Sequence, residues 1–291
     1  MRLYRLINQD ADTAPARCQR CLQATLIVVC VFSVLFASFS SESQAGDSDI
    51  LADSDRQLIL IAAYDYAPYF ISGSDDHFLG TLVTNLNALQ TRYRFEIREV
   101  RPHDRYAALG PDGCCDLMFF ESENWGWKTS GYSYAASPGI LKGCDRLYSM
   151  QNDYWEPKET DRIGGVVGYH YQLTNMNTDI VYSETEHKMY RANNQLTLLN
   201  MLRHGRIQFA MLSEEFVNWL AAEAPETVVG LYASPDHQEG YETQIILSNY
   251  SALDQRQLFR YLEQLATQAE IKAQVKRYQL QLTSFSSVVD R

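Results

Sequence analysis

Motifs that announce a reaction are scarce in this 291-residue sequence. It has no Gly-x-Ser-x-Gly stretch, so the strand-to-helix turn that exposes a serine nucleophile is missing. Its six histidines, His77, His103, His170, His187, His204 and His237, include no closely spaced pair, which removes the usual helical zinc signature. Positive charge is also short. Against 36 Asp and Glu stand 25 Lys and Arg, a formal charge of -11, and an extended phosphate-binding footprint would meet repulsion along its length. Nucleic acid is therefore excluded as a partner. The one long apolar run, residues 24–39 (ATLIVVCVFSVLFASF), falls short of the about 20 residues that a relaxed bilayer span needs. Cysteine is sparse too. Cys18 and Cys21 form a C-x-x-C with no second ligand pair after it, and Cys30 follows Val28-Val29, without the small residue that a lipoprotein cleavage site requires.

What is present begins with an export leader. Arg2, Arg5, Arg17 and Arg20 precede the apolar run, and Ser43-Gln44-Ala45 supplies small residues for signal peptidase. Residues 1–45 read as a signal peptide with the mature chain starting at Gly46; an uncleaved anchor is the other reading, and positive charge before the run exports the rest in either case. The expected location is the periplasm. In that oxidising compartment Cys144 is expected to pair with Cys114 or Cys115, the alternative being buried free thiols.

The body is organised around residues 57–90, which read as strand, aromatic loop and helix. Leu58–Ile61 is an apolar run suited to a strand buried on both faces, and it ends in Tyr64, Asp65, Tyr66, Pro68, Tyr69 and Phe70. Leu79, Leu82, Val83, Leu86 and Leu89 then recur at helical spacing. Further strands are expected at residues 94–100 and 115–120, the second running into Glu121, Glu123, Asn124, Trp125, Trp127 and Lys128. A charged linker spans 153–160, after which the pattern restarts: strands at 163–168, 179–182 (DIVY), 206–212 and 228–232, a helix on Leu196, Leu199 and Leu202 closed by Gly205, and another opened by Ser213-Glu214-Glu215. A strand at 241–248 and a helical segment at 254–278 return the chain to the first half. The expected fold is α/β and two-lobed, each lobe a mostly parallel sheet flanked by helices, with two hinge crossings. The lobes are residues 46–146 and 147–241, and residues 242–291 go back to the first.

Four stretches carry a family resemblance: YDYAPYF with Gly80 before its helix, LGPDGCCDLMFF, IGGVVGYHYQ and LLNMLRHGRIQFAML. In that order the mature chain resembles the family 3 bacterial extracellular solute-binding proteins, of the type II periplasmic fold found in polar amino acid importers. The resemblance implies a monomer that closes on a small-molecule ligand and hands it to an inner-membrane ABC permease, with no cofactor and no catalysis. It also implies an arginine after the third strand to grip a ligand carboxylate in two-pronged fashion. Here that loop is ESENWGWKTSGYSY, whose one cation is Lys128, and the acidic partner for a ligand amine is left between Glu214 and Glu215.

The expected ligand wall is Tyr66, Tyr69, Phe70, Trp125, Trp127 and Tyr169, with Glu121, Lys128 and Glu214 as polar contacts and no metal. Aromatic faces of this kind suit an amino-acid-like, amine or aromatic metabolite. Two rival readings share the fold: a periplasmic dehydratase with Glu121 as its acid, and a tethered sensor should the leader be retained.

Overall fold

The computed structural model describes residues 56–283 of the chain. The leader, with its C-x-x-C and the start at Gly46, lies outside them. Strand β1 (Gln57–Ala63) is the centre of the first sheet, pairing in parallel with β2 (Tyr93–Glu99) on one side and β3 (Leu117–Glu121) on the other. Helix α1 (Phe78–Leu89) connects β1 to β2 and buries Leu79, Leu82, Val83 and Leu86, the face that the leucine spacing implies. Its amino end is capped by His77, whose Nδ1 accepts from the Gly80 amide at 2.9 Å. A 3-10 turn at Pro102–Asp104 and the single-turn helix α2 (Arg105–Ala108) lead into β3. The strand β4 (Tyr134–Ala136) follows.

Strand β5 (Leu141–Ser149) is the first crossing. Beyond it, β6 (Ile163–Val166) is flanked in parallel by β7 (Met189–Ala192) and β8 (Phe209–Ser213), connected by α3 (Ile180–His187) and α4 (Gln195–Arg203). Leu147, Ile163, Tyr171, Met189, Phe209 and Met211 form the core on one face of this second sheet. Helix α5 (Glu214–Glu223) starts directly from β8 with Ser213 as cap. Strand β9 (Tyr232–Ser248) is the return crossing, antiparallel to β5 along its first part and to β3 and β4 at its end, so the two sheets are joined edge to edge through a single 17-residue strand. Helices α6 (Gln255–Thr267) and α7 (Ala269–Arg277) cover the first sheet, and the two-residue strand β10 (Gln281–Leu282) pairs with β5. The order β2-β1-β3-β9-β5-β8-β6-β7 is thus two parallel three-stranded cores linked by an antiparallel pair.

Three expectations are corrected. Residues 179–182 are not a strand: Asp179 accepts from the Tyr182 amide at 2.7 Å and opens α3, leaving Ile180 46% and Val181 67% exposed. Local capping prevails because neither β-branched side chain has a surface to pack on. The strand expected at 228–232 is a 3-10 turn over Pro225–Val228, with β9 starting only at Tyr232. The disulfide joins Cys114 to Cys115, and Cys144 is free. The adjacent pair precedes β3 at its amino end, whereas Cys144 faces the loop that follows the carboxyl end of β3, so the sheet separates them.

Candidate functional site

The loops that leave the carboxyl ends of the parallel strands face each other across β5 and β9, the position where open α/β sheets take their ligands. From the first sheet comes the loop after β1, folded tightly by amide bonds from Tyr66 to the Phe70 carbonyl and from Tyr69 to the Tyr66 carbonyl, both 2.9 Å. The loop after β3 is set by a bulge: Met118 pairs with Ile246 and Glu121 with Gln244, so two residues of β3, Phe119 and Phe120, stand opposite one of β9, and Phe120 takes a left-handed φ of 61°. Its ring stacks on Tyr69 at 4.5 Å. From the second sheet comes the loop after β6. There Gly168, at φ 79°, brings its backbone so near Pro102 that a Cβ would lie 2.8 Å from the proline ring. Gly126 serves the opposite approach, at φ 83°, where a Cβ would meet His170 at 2.9 Å.

Between the loops lies a cluster of rings. Tyr66 contacts Tyr64, Tyr69, Trp125 and Tyr169, and its hydroxyl meets that of Tyr241 at 2.6 Å. Tyr241, on β9, also donates to Glu215 Oε2 at 3.1 Å and lies edge-on to Trp125. Two spaces result. An outer chamber of about 650 Å³ is bounded by the loop after β3, the start of α5 and the crossing strands, with Lys128, Cys144, Glu214, Glu215 and Tyr241 on its wall. An inner space of about 10 Å³, enough for one water at most, is enclosed by Tyr64, Tyr66, Arg105, Trp125, Asp145 and Tyr169 with the backbone of Gly168 and His170. The rings themselves fill the inner space.

Of the expected wall, Tyr66, Trp125 and Tyr169 come together around the inner space, and Lys128 and Glu214 lie on the outer chamber. Tyr69 is buried behind Tyr66 with no hydrogen-bond partner for its hydroxyl among the described residues. Phe70 turns away and packs against His77, the cap of α1. Trp127 and Glu121 are beneath the site. Glu121, 0% exposed, accepts from Tyr64 and from Trp127 Nε1, both at 2.6 Å, with Arg105 Nε 3.4 Å away. Burial pushes its carboxyl up, opposed by Arg105 and by those two donors. Arg105 stands as its counter-charge, and both of its oxygens are engaged. Lys128 is tied to Asn124 at 3.0 Å, and Glu214 to Arg146 at 2.6 Å.

The residues that sequence reasoning missed come mainly from elements read as scaffold. Arg105 reaches across the cleft to the Gly168 carbonyl at 3.2 Å and His170 Nδ1 at 3.2 Å, while also binding the Trp125 carbonyl at 3.0 Å. His170 is thereby neutral, its titration pushed down to about 3 by burial and then by Arg105 and Arg191. Asp65 takes Asn194 Nδ2 at 3.0 Å and its carbonyl takes the Tyr169 hydroxyl at 3.1 Å. Glu215, left open with Glu214 as the acidic partner in the sequence, is buried where Glu214 is not, and burial raises it to about 7. Asp145, on β5, is 7% exposed, and burial followed by Glu215 and Glu239 pushes it well above the usual aspartate range. Asp145 shares β5 with Lys142 and Arg146, so its charge alone does not mark it in the sequence.

No family model matches the sequence, and no curated protein matches it. Solved structures do. The AvGluR1 ligand-binding domain in complex with glutamate superposes with a TM-score of 0.57 at 11% identity, covering 78% of this chain and 97% of that one. A substrate-binding protein of an ABC uptake transporter from Streptococcus pneumoniae, with bound histidine, gives 0.55 at 14% identity over 80% of this chain and 94% of its own. This is the two-lobed solute-binding fold. An ancestral arginine-binding protein bound to arginine shares it, with a TM-score of 0.58 at 12% identity over 77% and 99% of the two chains. With identities this low the likeness is one of fold, and what a solute-binding fold holds is decided by its loops. In this chain those loops present three tyrosines and a tryptophan around one buried aspartate.

Proposed function

We propose that the protein captures a small polar metabolite between its lobes outside the inner membrane and delivers it to an ABC-type importer. The observation that carries this reading is convergence: side chains from both sheets and both crossing strands, Tyr66, Arg105, Asp145, Tyr169 and Tyr241 among them, meet in one shut cleft. Contacts made only when the lobes are together are what a ligand needs in order to bias closure. As the cleft stands, its rings leave too little space for a guest, so binding requires the lobes to part and to close again around it. The enzyme reading loses its acid, because Glu121 has both oxygens occupied and is walled off by Tyr64 and Trp127. Isothermal titration of the native protein against amines, amino acids, sugars and organic acids tests the reading. Micromolar binding with a rise in melting temperature supports it, and heats at the dilution baseline across the whole panel overturn it.

A further inference from the structure

The cleft has a buried carboxyl that nothing among the described residues answers. The Asp145 carboxylate lines the inner space, is 7% exposed, and has no hydrogen-bond partner among the described residues. The charged groups facing it are Glu215 from α5 and Glu239 from β9, both acidic. Neither buried guanidinium in the region is turned to it. Arg105 is engaged by Glu121, by the carbonyls of Pro102, Gly168 and Trp125, and by Tyr106 and His170. Arg191 points into the second sheet's own loop, onto the carbonyls of Val166, Tyr169 and Asn177. A second acceptor without a partner is the Tyr69 hydroxyl behind Tyr66, whose titration burial raises, with Glu215 and Asp145 adding to it. A buried carboxylate left without a cation is costly, and aromatic faces around it attract positive charge.

We propose that the cleft takes the ammonium group of a small organic amine, seated at Asp145 between Tyr66, Trp125 and Tyr169, and that it has no place for a ligand carboxylate. The inference rests on the solute-capture reading above and narrows it. A charged ammonium supplies N–H donors to Asp145 and presents its charge to the ring faces. A carboxylate brought into the same space would meet Asp145 and Glu215, and both terminal nitrogens of the Arg105 guanidinium are already bonded, while its Nε faces Glu121 at 3.4 Å. Tyr241 stands between the inner space and the outer chamber, so once that ring turns, the tail of a longer amine has the outer chamber of about 650 Å³ to extend into.

The test is calorimetric titration of the full native protein with pairs that differ by one carboxylate: phenethylamine and phenylalanine, agmatine and arginine, putrescine and ornithine. At least one amine is expected to bind ten-fold or more tightly than its amino acid. Asp145→Asn is expected to weaken that amine ten-fold or more while the circular dichroism is kept and the melting temperature is unchanged or higher, since the variant removes a buried carboxyl that has no partner among the described residues. Should Asp145→Asn not fold, Trp125→Leu, at a partly exposed ring, carries the same test through a several-fold loss. Amino acids that bind as well as their amines, or an Asp145→Asn variant with full amine affinity, overturn the inference and leave solute capture standing. An absence of binding by every compound in these pairs and in the wider panel overturns both.

Discussion

At the scale of single residues, the cleft combines the buried Arg105–Glu121 pair with two carboxyls, Asp145 and Glu215, that burial raises with no cation beside them among the described residues. Arg105 and Glu121 hold each other and the rings of Tyr64 and Trp127. Truncating one partner strands the other in the interior, and Arg105→Met is expected to cost about 3–5 kcal/mol, read as a lower urea midpoint with the slope unchanged. Glu215 acts in the opposite sense. Its folded value of about 7 lies above the ordinary 4.5, so the folded protein holds a proton that the unfolded chain has released. The stability from that proton is whole below about pH 4.5 and is lost as pH rises through about 7, a swing of about 3 kcal/mol at most. Asp145, also raised, pushes the same way. The urea midpoint should therefore fall between pH 5 and 8, and Glu215→Gln should flatten the fall; an unchanged slope in that variant would show that Glu215 is not its source.

At the scale of elements, what the sequence made legible were the pieces with one buried face. The α1 leucines, the apolar runs of β1, β3, β6 and β8, and the Ser213 cap of α5 stand where their patterns put them, because burial and capping are both local in sequence. The first half of β9 carries no such pattern. Residues 232–240 (YASPDHQEG) are largely exposed and include Pro235, tolerated because the pairing with β5 slips between Arg146 and Tyr148. A strand wetted on both faces has no periodicity to read. The candidate site was legible to the same degree: Tyr66, Trp125 and Tyr169 follow strand ends and converge, whereas Asp145 and Tyr241 lie on crossings whose pairing joins distant segments. Helix α3 shows the limit most plainly. Asp179→Ala removes its cap and is expected to cost about 1 kcal/mol, with amide exchange quickened across Ile180–His187 and unchanged in α1.

At the scale of the whole molecule, the shut form is held by a handful of bonds between the sheets: Tyr169 to the Asp65 carbonyl, Asn194 to the Asp65 carboxylate, Arg105 to the Gly168 carbonyl, and the Arg277 pairing with Glu223 between α7 and α5. Each contributes a net of about 1 kcal/mol, somewhat more where a charge takes part, so the balance between open and shut is within reach of one substitution. Asn194 has two roles, since its Oδ1 caps α4 by accepting from the Thr197 amide at 2.9 Å while its Nδ2 donates to Asp65. Asn194→Asp separates them. Aspartate caps a helix as well as asparagine does, but it sets a carboxylate against that of Asp65, which burial already raises. At pH 7 the variant should open, seen as a larger radius of gyration in small-angle scattering and a weaker affinity for whatever ligand the wild type holds. At about pH 4, where two facing carboxyls share a proton, closure should return. A radius equal to wild type at both pH values would show that the Asp65–Asn194 contact does not hold the lobes together.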